Sequence, residues 1–369
     1  MASTTESPGW LRSPVVAAAN ELPSNAEYLA HLDVAAADPT LIRLASNENT
    51  ERPSPRVREA LECAYYDANL SPATVPPLRV ALAERYAVGP EGVLLGAGST
   101  ELIEATMRTF LRAGDEVILP RPSWPVYRRR LEALEARLVE VPLSVDERSY
   151  AYDVERLVRA VTKETKLMIL CTPNNPTGNS MAVDDVRRCA EAAPLLLVDA
   201  AYADFDPDVD LTPLVHEYDN IVLSRTFSKA YCLAGLRVGY IVGDIAVLDY
   251  VDRFLVPGSS ISSAALHAGL AALEDEEHHG HQVERIRRER ERVLEGLRAL
   301  GLHAFDSFGN FVAIDGSDRP GGAYAFAAAV HEQGIVIRVM DERLARITVG
   351  RAEENDRLLT AAATAASAP

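Results

Sequence analysis

The sequence predicts an α/β fold, with a large unit built on a mostly parallel, helix-flanked sheet and a smaller α+β unit after it. Two observations carry that reading. From about residue 90 onward, short apolar runs alternate with amphipathic stretches, the rhythm of strand–helix–strand units around a parallel sheet. After about residue 243 the rhythm changes to long helical stretches followed by closely spaced strands.

In chain order, GVLLGAG, EVILP, LVEVPL, KLMILCTP, LLLVDA, NIVLSRTFS and GYIVGD read as buried strands. Between them ELIEATMRTFLRA, DVERLVRAVT and AVDDVRRCAEAA carry helical spacing. HHGHQVERIRRERERVLEGLRAL mixes charges along its length and reads as a helix with a solvated face. FVAIDG, GIVIRVM and ARITVG read as strands of a second, smaller sheet, and EENDRLLTAAATAAS as a closing helix. The expected division is an N-terminal segment over 1–49, packing against either unit, a large domain over 50–243 and a small domain over 244–369. No repeat or low-complexity linker interrupts it.

The net charge of −17 argues against nucleic acid and anionic membranes as partners, because both need basic surface. An anionic substrate would therefore need arginines gathered locally. The cysteines, Cys63, Cys171, Cys189 and Cys232, have neither metal-site nor redox spacing, so no metal is expected and a reduced, cytoplasmic setting is. The opening MASTTESPGWLRSPVV lacks a signal peptide's basic-then-apolar pattern, and no apolar run reaches the roughly 18 residues of a membrane span. Of 37 basic residues only Lys163, Lys166 and Lys229 are lysines. The first two lie in the polar connector VTKETKL, whereas Lys229 lies between two apolar runs, where an amine points to chemistry.

Five segments at predicted strand ends carry polar groups with a common logic. GAGSTELIEA presents Gly98, Ser99 and Thr100 at a helix start, where N–H groups and the helix dipole favour an anion. RPSWPVY places Trp124 after a strand, able to lie flat on a ring. CTPNNPTG holds Asn175 in a tight turn. LLLVDAAYADF puts Asp199 at the end of a strongly apolar strand, costly unless the carboxylate is paired, with Tyr202 three residues on. SRTFSKAYCLAGLRVG supplies Thr226, Ser228, Lys229 and Arg237, two hydroxyls, an amine and a guanidinium. Each alone has a bland reading as cap, core residue or turn. Together they match one ligand, pyridoxal 5′-phosphate (PLP), which needs an amine for a Schiff base, a carboxylate opposite its ring nitrogen, donors for its phenolic oxygen, a phosphate cup and a flat ring partner. Nearer the C-terminus Arg346, at the start of the strand in LARITVG, is a candidate for a substrate anion, with Arg338 in GIVIRVM a second.

These segments, with RLASNEN (Arg43–Asn49) and ITVGRAEENDRLL, resemble the signatures of fold-type I PLP-dependent aminotransferases of class I/II, and histidinol-phosphate aminotransferases most. The resemblance spans about residues 20 to 365. It implies that Lys229 forms the Schiff base, Asp199 pairs with the ring nitrogen, and Tyr202 and Asn175 serve the phenolic oxygen. It further implies that Trp124 stacks, that Ser99, Thr100, Ser228 and Arg237 hold the phosphate, that Arg346 takes the substrate anion and that Asn47 approaches the substrate. A homodimer acting on a small amino substrate follows from the same resemblance.

The departures lie on the substrate side. The family's cross-subunit tyrosine falls at Leu70, its Asn-Pro-Tyr-Gly stretch reads Asn49-Thr50-Glu51-Arg52, and Pro-Tyr-Asn-Val-Asn reads Pro257-Gly258-Ser259-Ser260-Ile261. A phosphate-binding tyrosine near the N-terminus is replaced by Glu21-Leu22-Pro23, and the loop before Arg346 is short. The expectation is amino-group transfer on an amino acid or amino-phosphate, with a place in specialised biosynthesis. The alternative on the same scaffold is decarboxylation, β-elimination or cyclisation, or oxidation. A purely regulatory ligand sensor would need a DNA-binding module, for which the stretch before residue 40 leaves no room.

Overall fold

β1 (Ile42–Leu44) opens the described chain, and three residues suffice for a strand here because they lie against one already buried. The computed structural model describes residues 37–255 and 260–367; Glu21–Pro23 and Pro257–Ser259, two of the departures above, lie outside them. The strands β2 (Val93–Ala97), β3 (Glu116–Arg121) and β4 (Arg137–Pro142) follow, and β5 (Ser144–Val145) with β6 (Tyr150–Ala151) forms a short antiparallel hairpin. Next come β7 (Thr165–Cys171), β8 (Leu196–Asp199), β9 (Ile221–Thr226) and β10 (Val238–Gly243). The chain closes with β11 (His303–Ala304), β12 (Phe311–Asp315), β13 (Ile335–Val339), β14 (Leu344–Thr348) and a helix over Ala352–Ser367.

The larger sheet runs β2-β10-β9-β8-β7-β3-β4. The β3–β4, β3–β7, β7–β8 and β8–β9 pairs are parallel. β7 and β8, in the middle of the sheet, are near-continuous apolar runs because helices cover both faces; every residue of β8 is buried. β10 departs from the parallel pattern, running antiparallel to both β9 and β2. β2 therefore points the same way as β9, and the carboxyl ends of β2, β3, β7, β8 and β9 gather along one edge, where α/β sheets bind ligands.

The smaller sheet has the order β1-β13-β14-β12-β11. Its N-terminal strand settles where part of the first 49 residues packs: Ile42–Leu44 lies parallel to Ile335–Ile337. The core of the larger sheet extends past residue 243, since the Ser263–Glu274 helix packs on the helices Pro55–Ala64 and Pro77–Arg85, burying Ala265, Leu266 and Ala268. Gly269 leaves room for Leu78, whose Cδ2 would lie 2.7 Å from an added Cβ.

The Glu276–Ala299 helix differs from a simply solvated one. It buries Ile286, Val293 and Leu297, and with them the charged Glu289 and Arg290. Arg290 donates to the carbonyls of Phe205 (3.4 Å) and Gly309 (3.2 Å), so its charge is hydrogen-bonded where it is buried. Among the described residues no helix is long and apolar enough to cross a membrane.

Candidate active site

The strand ends enclose a cavity of about 320 Å³. Ser99, Thr100, Trp124, Asn175, Asp199, Tyr202, Thr226, Ser228, Lys229, Arg237, Arg338 and Arg346 all line it. Twelve of the fourteen residues singled out from the sequence thus meet in one place; Gly98 and Asn47 stand just behind its wall. Lys163 and Lys166, by contrast, are exposed.

At one end, Gly98 (φ +83°) turns β2 into the Ser99–Phe110 helix. A Cβ there would lie 2.3 Å from Arg237 Nη2, so only glycine lets the guanidinium close on this turn. Arg237 itself sits at φ +55° and donates to the Ala234 carbonyl at 3.2 Å. Thr226 Oγ1 donates to Ser228 Oγ at 2.9 Å and accepts the Ser228 N–H at 3.1 Å, so the two hydroxyls are held as a pair. Helix N–H groups, two ordered hydroxyls and a guanidinium make an anion cup.

Asp199 is 4% exposed at the end of β8. Tyr127 Oη donates to its Oδ2 at 2.5 Å and the Ala201 N–H to its Oδ1 at 3.2 Å. Burial outweighs those donors and pushes the carboxyl up to about 6, so a cationic N–H from a ligand would be favoured beside it. Tyr127 escaped the sequence reading. It is wholly buried and packs edge-on against Trp124, ring centroids 5.2 Å apart, so one side chain steadies both the carboxylate and the ring partner. The signal was its place three residues after Trp124, one helical turn along the same face.

Lys229 Nζ donates to the Ser46 carbonyl at 3.2 Å and lies 5.7 Å from the centre of the Tyr202 ring. Burial, then Arg346 and Arg237, push the amine down to about 7 against the opposing pull of Glu48 and Asp199. Near neutral pH a large fraction is therefore unprotonated and nucleophilic. Glu48 also lines the cavity and was not singled out from the sequence.

The sequence expectation for the arginines needs adjusting. Arg346 sits in the middle of β14, not at its start, directly opposite Arg338 of β13. Its Nη1 donates to Asn175 Oδ1 and its Nη2 to the Ala45 carbonyl, both at 2.6 Å. Asn175 Nδ2 in turn donates to Tyr202 Oη at 3.1 Å. Asn47, expected at the substrate, is 1% exposed and directs its Nδ2 to the same hydroxyl at 3.1 Å. Leu70 lies elsewhere, 61% exposed on a separate recess of about 250 Å³ that it shares with Pro76, Leu266 and His267.

The residues fit PLP on the structure's own terms: an anion cup that excludes a Cβ, a buried carboxylate held in place by a tyrosine, an amine of lowered basicity and an aromatic wall. Comparison with known proteins decides the family, for residues 39–361 match the one described as aminotransferase class I and II. The chain belongs to that family. Among its relatives, the histidinol-phosphate aminotransferase of Methanothermobacter thermautotrophicus is 35% identical over 329 residues, covering 86% of this chain and 87% of that one. An aromatic amino acid aminotransferase of Rhodococcus opacus is 36% identical over 326 residues, covering 87% of this chain and 89% of the other. The crystal structure of histidinol-phosphate aminotransferase from Sinorhizobium meliloti in complex with PLP superposes with a TM-score of 0.83 at 27% identity, covering 98% of each chain.

This class I and II aminotransferase accordingly has the fold-type I architecture and is a PLP-dependent transferase. Each of these three relatives is an aminotransferase by name, so amino-group transfer is favoured over decarboxylation, elimination or oxidation.

Proposed function

We propose that the enzyme transfers an amino group from a small amino acid or amino-phosphate whose anionic group is held by Arg346 with Arg338 alongside. The observation that carries this reading is the sharing of one cavity by Lys229, Asp199 and the Arg338–Arg346 pair. Bound PLP supplies an electron sink for the pair left at the substrate α-carbon. The chain does the rest. Ser99, Thr100, Thr226, Ser228 and Arg237 would hold the PLP phosphate, Trp124 would pack against the ring, and Asp199 would pair with the ring nitrogen. Lys229, unprotonated in a large fraction near pH 7, accepts the α-proton at Nζ and returns it on the other side of the transfer. Arg346, fixed by Asn175 and Ala45 before any substrate arrives, orients that substrate without reorganising.

The names of the relatives point to histidinol phosphate and aromatic amino acids as first candidates. The two compete for the same arginines, phosphate in one case and carboxylate in the other. The enzyme is assigned to the cytoplasm, in keeping with its free cysteines. A homodimer is part of the same proposal. Tyr65, Tyr66 and Leu70 are 77%, 80% and 61% exposed, apolar surface of the kind that a second copy would cover.

The test is to load the purified protein with PLP and add 2-oxoglutarate with either histidinol phosphate or phenylalanine. Glutamate formed in step with substrate loss supports the proposal. Release of carbon dioxide, ammonia or peroxide in place of glutamate overturns it, as does full turnover by the Lys229→Ala variant.

A further inference from the structure

Tyr202 and Asn47 lie 155 positions apart, yet they meet in the site, Asn47 Nδ2 donating to Tyr202 Oη at 3.1 Å. Tyr202 is 5% exposed, packed edge-on against Phe311 with centroids 5.1 Å apart, and its hydroxyl faces two amides. The orientation of each amide is dictated by a neighbour. An arginine offers donors only, so Asn175 must turn Oδ1 toward Arg346 and Nδ2 toward Tyr202. Thr348 Oγ1 accepts the Asn47 backbone N–H at 2.9 Å, which commits its own hydrogen to Asn47 Oδ1 at 3.3 Å. Asn47 Nδ2 is thereby turned to Tyr202 as well.

A phenolic hydroxyl has two acceptor positions and one hydrogen. The two amide N–H groups, each 3.1 Å away, occupy both acceptor positions. We infer that Asn47 is a positioning residue: it fills the second acceptor position of Tyr202 and so commits the hydroxyl hydrogen to the cavity, making Tyr202 an obligate donor to the phenolic oxygen of PLP. The inference rests on the functional reading above and adds to it.

The placement of Asn47 gives the arrangement a mechanical meaning. Asn47 adopts φ +51°, a region that asparagine tolerates. Its backbone carbonyl accepts from Asn310 Nδ2 at 3.0 Å and its N–H is on Thr348, so it is built into the smaller sheet. Thr348 lies two residues beyond Arg346 on β14, hence on the same face of the strand. The strand that seats the substrate anion thus also aims the amide that orients Tyr202.

A donor on the phenolic oxygen draws charge from it and weakens the hold of the neighbouring imine nitrogen on its proton. Losing that donor raises the pH at which the visible band of the PLP-loaded enzyme shifts. Asn47→Gly keeps the backbone angle and removes the amide. The expected result is a midpoint raised by about one pH unit, the size of one hydrogen bond to a charged group. The same substitution in a Tyr202→Phe background should add nothing, because the intermediary is gone. An unchanged midpoint in Asn47→Gly, or a shift undiminished in the Tyr202→Phe background, would overturn the inference.

If Asn47→Gly does not fold or load, Asn47→Asp is read in the same two backgrounds. Its carboxylate would take the tyrosine hydrogen, so its shift should fall by at least half when Tyr202 is Phe; a shift of equal size in both backgrounds refutes the coupling. The presence of a visible band and the formation of glutamate test the broader reading separately from this midpoint.

Discussion

Replacing Tyr127 by Phe removes one oxygen from a wholly buried side chain and leaves its packing against Trp124 in place. What changes is the donor 2.5 Å from Asp199 Oδ2. The carboxyl titrates near 6 in the folded protein against 3.8 for a free side chain. The folded state therefore binds the extra proton between those values, and Asp199 lowers stability as pH rises through that window. Tyr127 opposes the rise by favouring the carboxylate, so Tyr127→Phe lifts the folded value further and extends the window upward. At pH 5 the carboxyl is mostly protonated in both proteins, and the variant should lose about 0.5–1.5 kcal/mol, the worth of a neutral hydrogen bond. At pH 8 it should lose about 1.5–3 kcal/mol, because the lost bond is to a charge. Urea unfolding of cofactor-stripped wild type and variant at both pH values measures this difference directly. A cost equal at the two pH values, or larger at pH 5, would refute the assignment of Tyr127 as the donor that holds Asp199 ionised.

Three other outcomes are expected. The rate at which cofactor-stripped enzyme regains its visible band on adding PLP should climb with pH through a midpoint near 7, well below the 10.5 of an ordinary lysine, because the neutral amine is the reactive form and its fraction grows as pH rises. Gly98→Ala should weaken PLP binding by about tenfold or more in an absorbance titration, since its Cβ must displace the Arg237 guanidinium from 2.3 Å. Cys232→Gly should raise the unfolding free energy by about 0.5–1 kcal/mol by denaturant titration, the left-handed backbone at φ +61° costing a side-chain-bearing residue more than glycine loses in chain entropy.

Much of the site was legible because its residues violate the pattern of their surroundings. Asp199 ends a strand of leucines, Lys229 is a lysine where arginine is the rule, and Gly98-Ser99-Thr100 interrupts an apolar strand at a helix start. Residues that obey their surroundings were invisible. Tyr127 reads as core, and its hydroxyl acquires meaning only beside Asp199. The substrate role expected of Asn47 came from its segment, whereas its actual partners, Tyr202 and Thr348, lie 155 and 301 positions away. The strands of the larger sheet were legible as apolar runs, but the reversal of β10 was not, because a strand buried on both faces carries no mark of direction. β1 escaped because three residues show no periodicity.

That short strand has a bearing on how the chain is made. Ile42 emerges early from the ribosome, and its partner Ile335 only after most of the chain has followed. At about 5–20 residues per second, the interval is roughly 15–60 s. For the last part of it, roughly 5–18 s, the larger sheet, whose strands all lie between residues 93 and 243, already has every strand of its order, whereas β1 still has no partner. The enzyme's birth is thus ordered: the half that would cradle the cofactor can assemble first, and the strand beside the substrate seat is completed when the last sheet forms.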